Sequence, residues 1–282
     1  MTTNELTVKV GNLSVAVKTW GHADKPPVLA LHGWLDNAAT FDCLAPYFPD
    51  YYWIAPDMPG HGLSENRGAG AEYSLWSYCT EVMQVANAME LDRFTLIGHS
   101  MGGGIASLLA GLFPQRLGKL VLLDVLGAIA TGTGEMIPQM QKALSQRVDK
   151  PLRKAGQYPS YEAAVNARAR VGVSTKAAEL LGKRGIREAE GYWYWGHDQR
   201  LTRKSLLSLT EEQVAVFLQA IECPVLVLGS TEAVFAEEVI ERRAALVRDI
   251  QLEMLPGGHH QHLDGDVELV ATLIQGFLEK PG

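Results

Sequence analysis

Short apolar runs of strand character alternate along this chain with longer stretches of helical periodicity, and no other feature restricts its fold as much. Strand-type runs stand at LTVKV (6–10), SVAVKTW (14–20), PVLALHG (27–33) and YYWIAPD (51–57). RFTLIGH (93–99), KLVLLD (119–124), PVLVLGS (224–230) and IQLEMLP (250–256) follow. Helical patterns fall between most of them, as from Tyr73 to Met89 and after Met101. In the last, from Val267 to Leu278, the residues Val267, Val270, Ile274 and Phe277 share one face. Strands alternating with helices build a mostly parallel sheet covered on both faces, and such sheets carry their sites at the carboxyl ends of the strands. The expected fold class is α/β, with eight strands in the sheet.

The alternation lapses between about Leu126 and Leu209. That stretch shows helical patterns, many Lys and Arg, and no convincing strand. It reads as a helical cap inserted after the sixth strand and folded over the carboxyl edge of the sheet. The expected organisation is a core of residues 1–125 and 210–282 with a cap of 126–209. Its aromatic run, Tyr192-Trp193-Tyr194-Trp195, is expected mainly to fasten cap to body, with one or two rings lining a substrate pocket.

Composition narrows the function. The chain is long enough for one large domain with an insertion, and its net charge of −7 is spread without long runs of one sign. Nucleic acid is therefore not an expected partner, nor is a membrane held by a polybasic patch. The opening MTTNELTVKV lacks the basic start and apolar core of a signal peptide. No apolar run approaches the roughly 18 residues of a membrane span, so no integral membrane association is expected. Cys43, Cys79 and Cys223 are widely spaced and form no C-x-x-C, which suits reduced cysteines in a cytoplasmic protein. A monomer or homodimer is expected.

The stretch TLIGHSMGGG (95–104) carries the chemistry. Thr95, Leu96 and Ile97 end a strand, while the glycines and IASLLAGL open a helix. Between them Gly98-His99-Ser100-Met101-Gly102 fits G-x-S-x-G. So sharp a turn strains its central residue and needs glycines beside it, and it lifts the serine hydroxyl clear at a helix N-terminus. The phosphate-binding alternatives, G-x-G-x-x-G and G-x-x-x-x-G-K-[ST], are absent. A serine hydroxyl needs a base. After the last strand comes Pro256-Gly257-Gly258-His259-His260-Gln261-His262, in a loop that returns to the carboxyl edge. A metal-binding role for these histidines finds no second ligand group at suitable spacing.

Four motifs in order make the chain resemble the α/β-hydrolase superfamily over nearly its whole length: LHGW (31–34), DMPGHGLS (57–64), GHSMGG (98–103) and GGHHQHLD (257–264). Within it, LHGWLDNAATFD and the tail HDQRL followed by LTEEQV look most like serine hydrolase-like proteins and small capped esterases. The resemblance implies a base that follows a glycine and precedes a second histidine by three positions, which is the register of His259 and His262. His259 is the expected base. The oxyanion hole is expected from the backbone N–H of Met101, next after the nucleophile, and of Trp34, in the loop resembling the family's HG-x loop. Asp57, Gly60, His61, Gly62 and Ser64 match a loop taken as structural. The usual acid position after PVLVLGS is held here by Glu232, while Asp124, at the end of KLVLLD, is the alternative that small capped esterases carry. Asp124 is preferred, because a short side chain on a rigid strand end is held more firmly than a glutamate on a loop.

The expectation is a serine hydrolase acting through an acyl-enzyme on a small-molecule ester or thioester with a small to medium apolar acyl group. No metal and no organic cofactor are called for. Haloalkane dehalogenases and epoxide hydrolases need a carboxylate where Ser100 stands. A lactonase or perhydrolase using the same triad, or a non-enzymatic small-ligand binding protein on the same scaffold, are the alternatives.

Overall fold

The computed structural model describes residues 1–232 and 235–280. The chain begins with β1 (Thr3–Val10), β2 (Leu13–Trp20), β3 (Pro27–Leu31), β4 (Tyr52–Pro56), α1 (Leu75–Ala88), β5 (Phe94–His99), α2 (Met101–Leu112) and β6 (Leu117–Leu123). Next come α3 (Met136–Val148), α4 (Tyr161–Ala169), α5 (Thr175–Gly185), β7 (Ile186–Ala189), β8 (Tyr192–Trp195) and α6 (Glu211–Gln219). It closes with β9 (Val225–Ser230), α7 (Glu237–Ala244), β10 (Ile250–Leu255) and α8 (Val267–Leu278).

Eight strands form one sheet in the order β1-β2-β4-β3-β5-β6-β9-β10. β1 and β4 run antiparallel to β2, and the other pairings are parallel. The central strands are apolar throughout because both their faces are buried. Successive residues divide between two cores. Leu96, Leu120, Leu122, Val225 and Val227 pack with α1, α2 and α6 on one face. Ile97, Val121, Leu123, Leu226 and Leu228 pack with α8 and with Phe41, Leu44 and Phe48 on the other. A one-residue slip would exchange the two sets and leave neither core filled. The register is therefore firmly fixed, and His99 lies opposite Leu123 while Leu123 lies opposite Leu228. The carboxyl ends of β5, β6 and β9 thus come level, side by side.

Between β6 and β9 the expected helices are present, but so is a hairpin that the sequence reading missed. β7 pairs antiparallel with β8 through the two-residue turn Glu190–Gly191. Both turn residues have positive φ, 53° and 78°, the geometry that matches the twist of a hairpin. The aromatic run is thus β8, with alternating faces. Trp193 and Trp195 belong to a third core with Ala164, Val165, Ala177, Leu181 and Leu263. Tyr192 and Tyr194 line a groove of about 300 Å³ with Lys154, Ala155, Gln157, Ala189 and Glu190. Trp195 is buried and its indole N–H donates to the Ala164 carbonyl at 3.0 Å.

Polar contacts hold this segment to the rest of the chain. Arg184 of α5 reaches the buried Asp57 carboxylate at 2.8 Å and Glu5 at 2.5 Å. Asn37 donates to the Leu181 carbonyl at 3.0 Å, and Asp198 N–H donates to the Gly60 carbonyl at 2.8 Å. Asp57 also accepts from the N–H of Ala38 and of Leu63, so this one carboxylate organises the loop after β4 and ties α5 to it. Among the described residues no helix is long and apolar enough to cross a membrane.

Candidate active site

Ser100 joins β5 to α2 at φ 51° and ψ −115°, a region that L-residues with a side chain rarely occupy. Such a conformation costs about 1–3 kcal/mol and lasts only where the surroundings impose it. Here its neighbours impose it. A Cβ on Gly98 would lie 2.5 Å from Gly103 Cα, and one on Gly102 would lie 2.2 Å from the Leu31 carbonyl oxygen. Backbone fills the space on both sides of the serine, so the turn admits only glycine there. Ser100 N–H donates to the Leu123 carbonyl at 3.2 Å, which fixes the turn to the end of β6.

Directly after that carbonyl comes Asp124, itself at φ 55° and 4% exposed. Its N–H donates to the Leu228 carbonyl at 2.8 Å. One carboxylate oxygen accepts from both the N–H and the hydroxyl of Ser230, each at 2.8 Å. The other lies 2.5 Å from His259 Nδ1. Burial alone would raise the pKa of this acid, but the hydrogen bonds from His259 and Ser230 outweigh it and hold Asp124 below the ordinary aspartate range. With Nδ1–H donating to Asp124, the free Nε2 of His259 carries a lone pair, as a base requires. Ser100 Oγ makes no hydrogen bond among the described residues, and in resting hydrolases this contact commonly tightens only with substrate.

The other residues singled out from the sequence fall as follows. Glu232, just after β9, is exposed and its N–H donates to the Gly257 carbonyl at 3.2 Å, so it lies beside the histidine loop and makes no hydrogen bond to the imidazole. His260 is buried and turned to Asp36, with Nε2 3.1 Å from the carboxylate. His262 is buried against Thr40 Oγ1 at 2.8 Å, and burial pushes it well below the usual histidine range. Only His259 of the three meets Asp124.

Met101 is the first residue of α2, where helix N–H groups have no partner within the helix. The Trp34 amide is aimed by its neighbour. His32 Nδ1–H donates to the Gly33 carbonyl at 2.7 Å while its Nε2 accepts Met58 N–H at 2.9 Å. A planar trans peptide whose C=O is held on one side presents its N–H, that of Trp34, on the other. Burial keeps His32 below its ordinary pKa, and the neutral ring suits this donor–acceptor arrangement. The Trp34 side chain is 47% exposed, and its indole N–H donates to the Leu201 carbonyl at 3.1 Å.

Sequence reasoning missed two features. The first is Ser230, which meets the acid with two donors; its position at the end of PVLVLGS, level with Asp124, was the available signal. The second is a buried polar cluster under the histidine loop. Arg168 of α4 donates to one oxygen of Asp36 at 3.1 Å, while His260 and His99 approach the other at 3.1 and 3.6 Å. His99 Nε2–H donates to the backbone carbonyl of His259 at 3.0 Å, and burial lowers its pKa to about 4. Asp36, His99 and His260 offer donor atoms within 4.8 Å of one another, a set that can hold a metal ion. The Arg168 guanidinium already supplies positive charge to that carboxylate, and its pairing argues for a proton-and-arginine network instead. Through the His99 bond to the His259 carbonyl this network holds the backbone of the histidine loop.

Comparison with known proteins agrees with this architecture. Residues 26–266 match the model of the alpha/beta hydrolase fold family. The serine hydrolase-like protein of Danio rerio is 31% identical over 93% of this chain and 84% of its own. A hypothetical protein of Pseudomonas aeruginosa PAO1, solved by crystallography, is 36% identical and superposes with a TM-score of 0.93 over 98% of this chain and 99% of its own. The thioesterase domain from the curacin biosynthetic pathway shares the fold, with a TM-score of 0.84 at 21% identity over 98% of this chain and 100% of its own. The chain belongs to the α/β-hydrolase superfamily, and a hydrolase is the class that its fold and relatives support.

Proposed function

We propose that the protein is a serine hydrolase that cleaves carboxylic esters or thioesters through an acyl-enzyme. The observation that carries this reading is His259 Nδ1 set 2.5 Å from the buried Asp124 carboxylate, on the loop beside the strained Ser100 turn. Ser100 Oγ attacks the substrate carbonyl carbon, and His259 Nε2 takes the hydroxyl proton. Asp124 holds the imidazole in the required tautomer and stabilises the imidazolium. The N–H groups of Met101 and Trp34 receive the charge that develops on the carbonyl oxygen. As the tetrahedral intermediate collapses, the bond to the leaving oxygen or sulfur breaks and His259 returns the proton to it. Water then adds to the acyl-serine with one proton passing to His259, and as this second intermediate collapses the acyl–Oγ bond breaks and His259 returns the proton to Ser100 Oγ, releasing the carboxylic acid. Neither a metal nor an organic cofactor enters these steps.

The segment 126–209 acts in this reading as a cap that limits water and shapes an apolar acyl pocket. Small to medium acyl groups are the proposed substrates, since each buried methylene adds roughly 0.8 kcal/mol until the chain meets the wall. A panel of p-nitrophenyl esters of graded chain length tests this. kcat/KM is expected to rise from acetyl and then fall for long chains. Absence of turnover across the whole panel would contradict it.

A further inference from the structure

Helix α3 (Met136–Val148) leaves large aliphatic side chains exposed on the side away from the protein body. The side that meets the rest of the chain is mixed, with half-buried Met136 and Met140 and buried Ala143 beside hydrogen-bonded polar groups. Gln139 bonds Thr131 and Ser208 at 2.5 and 2.7 Å, Gln146 accepts Lys204 N–H at 3.0 Å, and Arg147 pairs with Glu72. Of the whole helix only Ala143 is buried. On the opposite side Ile137, Leu144 and Val148 recur at helical spacing with 62%, 47% and 79% of their surfaces exposed, interrupted by Gln141, and beyond the helix Leu152 is 40% exposed. Beside them stand the exposed cations Lys142, Lys150, Arg153 and Lys154. The segment from Met136 to Lys154 has five basic residues against one acidic, in a chain whose net charge is −7.

Exposed aliphatic residues in a locally basic segment of an otherwise acidic protein select a partner by charge. A second copy meeting it through this face would set like charges against each other. We propose that α3 and the segment after it dock on an anionic lipid surface, with Ile137, Leu144, Val148 and Leu152 entering the headgroup region and the four cations meeting lipid phosphates. Such a helix lies in the interface without spanning it, and its attachment combines apolar burial with salt-sensitive attraction. The inference reverses the expectation that composition gave of no membrane held by cations, because the basic residues gather locally at 136–154; it goes beyond the hydrolytic reading and does not depend on it, because binding is measured without catalysis.

The test is flotation of the full chain with phosphatidylcholine vesicles, with and without phosphatidylglycerol, alongside its solution mass by light scattering. The protein is expected to float with the anionic vesicles, to be released at high salt, and to stay behind with neutral vesicles. The double variant I137E/V148E and the double variant K150E/K154E are each expected to lose flotation while keeping the parent's melting temperature. Any of three results would overturn the proposal: no flotation with anionic vesicles, equal flotation by the variants, or a dimer that I137E/V148E converts to monomer.

Discussion

Two carboxylates compete for the histidine, and their settings differ in kind. Asp124 is buried on a strand end with Ser230 and His259 as donors, whereas Glu232 is exposed on a loop. Asp124→Asn places an amide where the imidazole needs an acceptor and favours the wrong tautomer, so kcat is expected to fall by about 10⁴. Glu232→Gln should leave ester turnover within a few-fold of the parent. Steady-state kinetics on both, each checked for an intact thermal transition, decide the matter; the reverse pattern would move the acid to the loop. Ser230→Ala removes one of the two donors to the same carboxylate oxygen. A hydrogen bond to a charged group contributes about 1.5–3 kcal/mol, so a kcat loss of roughly ten-fold or more is expected, with KM little changed. An unaltered kcat would mean that the backbone N–H alone suffices.

At the scale of elements, the sheet was legible because its central strands must be apolar on both faces and each ends in a turn with its own chemistry. The final helix falls on Val267–Leu278, the span its apolar spacing defines. The hairpin β7–β8 was not legible for two reasons. Glutamate rarely accepts the positive φ that Glu190 adopts, so Glu190–Gly191 sends no strong turn signal, and the run of aromatics hides the alternation of a strand. The sequence also limited the acid to two residues and the base to three neighbouring histidines without bringing any of them together. Those pairings arise only where β6, β9 and the last loop converge, and the Arg168–Asp36–His99 network needs α4 folded back onto the loop after β3. The hairpin's own contribution is measurable. Trp195 fills the third core and bonds Ala164, so Trp195→Ala is expected to cost about 3–5 kcal/mol. Denaturant unfolding checks this; a change within error would place the ring outside any packed core.

Across the whole molecule burial holds five histidines, His32, His61, His99, His197 and His262, below the ordinary histidine range. Burial pushes both His99 and His197 from 6.5 down to about 4. Between these values the unfolded chain binds protons that the folded chain does not, so folding stability is full above about pH 6.5 and is lost as pH falls toward 4. Each group contributes up to about 3 kcal/mol over that window. Asp124, held below its ordinary pKa, loses its contribution only at lower pH. Glu81, which burial raises to about 7, takes up a proton in the same range and works in the opposite sense, since the unfolded chain keeps that carboxyl ionised down to about pH 4.5. Two histidines outweigh one carboxyl, so the melting temperature is expected to drop from pH 7 to pH 5, and a flat profile would contradict neutral burial of His99 and His197. The proposed function joins the sheet, the strained turn and the histidine loop through covalent chemistry at Ser100. Its most direct measurement is reaction of the intact protein with a fluorophosphonate probe, followed by peptide mass mapping. The expected result is one adduct per chain on Ser100, absent in Ser100→Ala and blocked by prior acylation with a slow ester. An unmodified Ser100 in protein that still hydrolyses esters, or equal labelling of Ser100→Ala, would contradict the account.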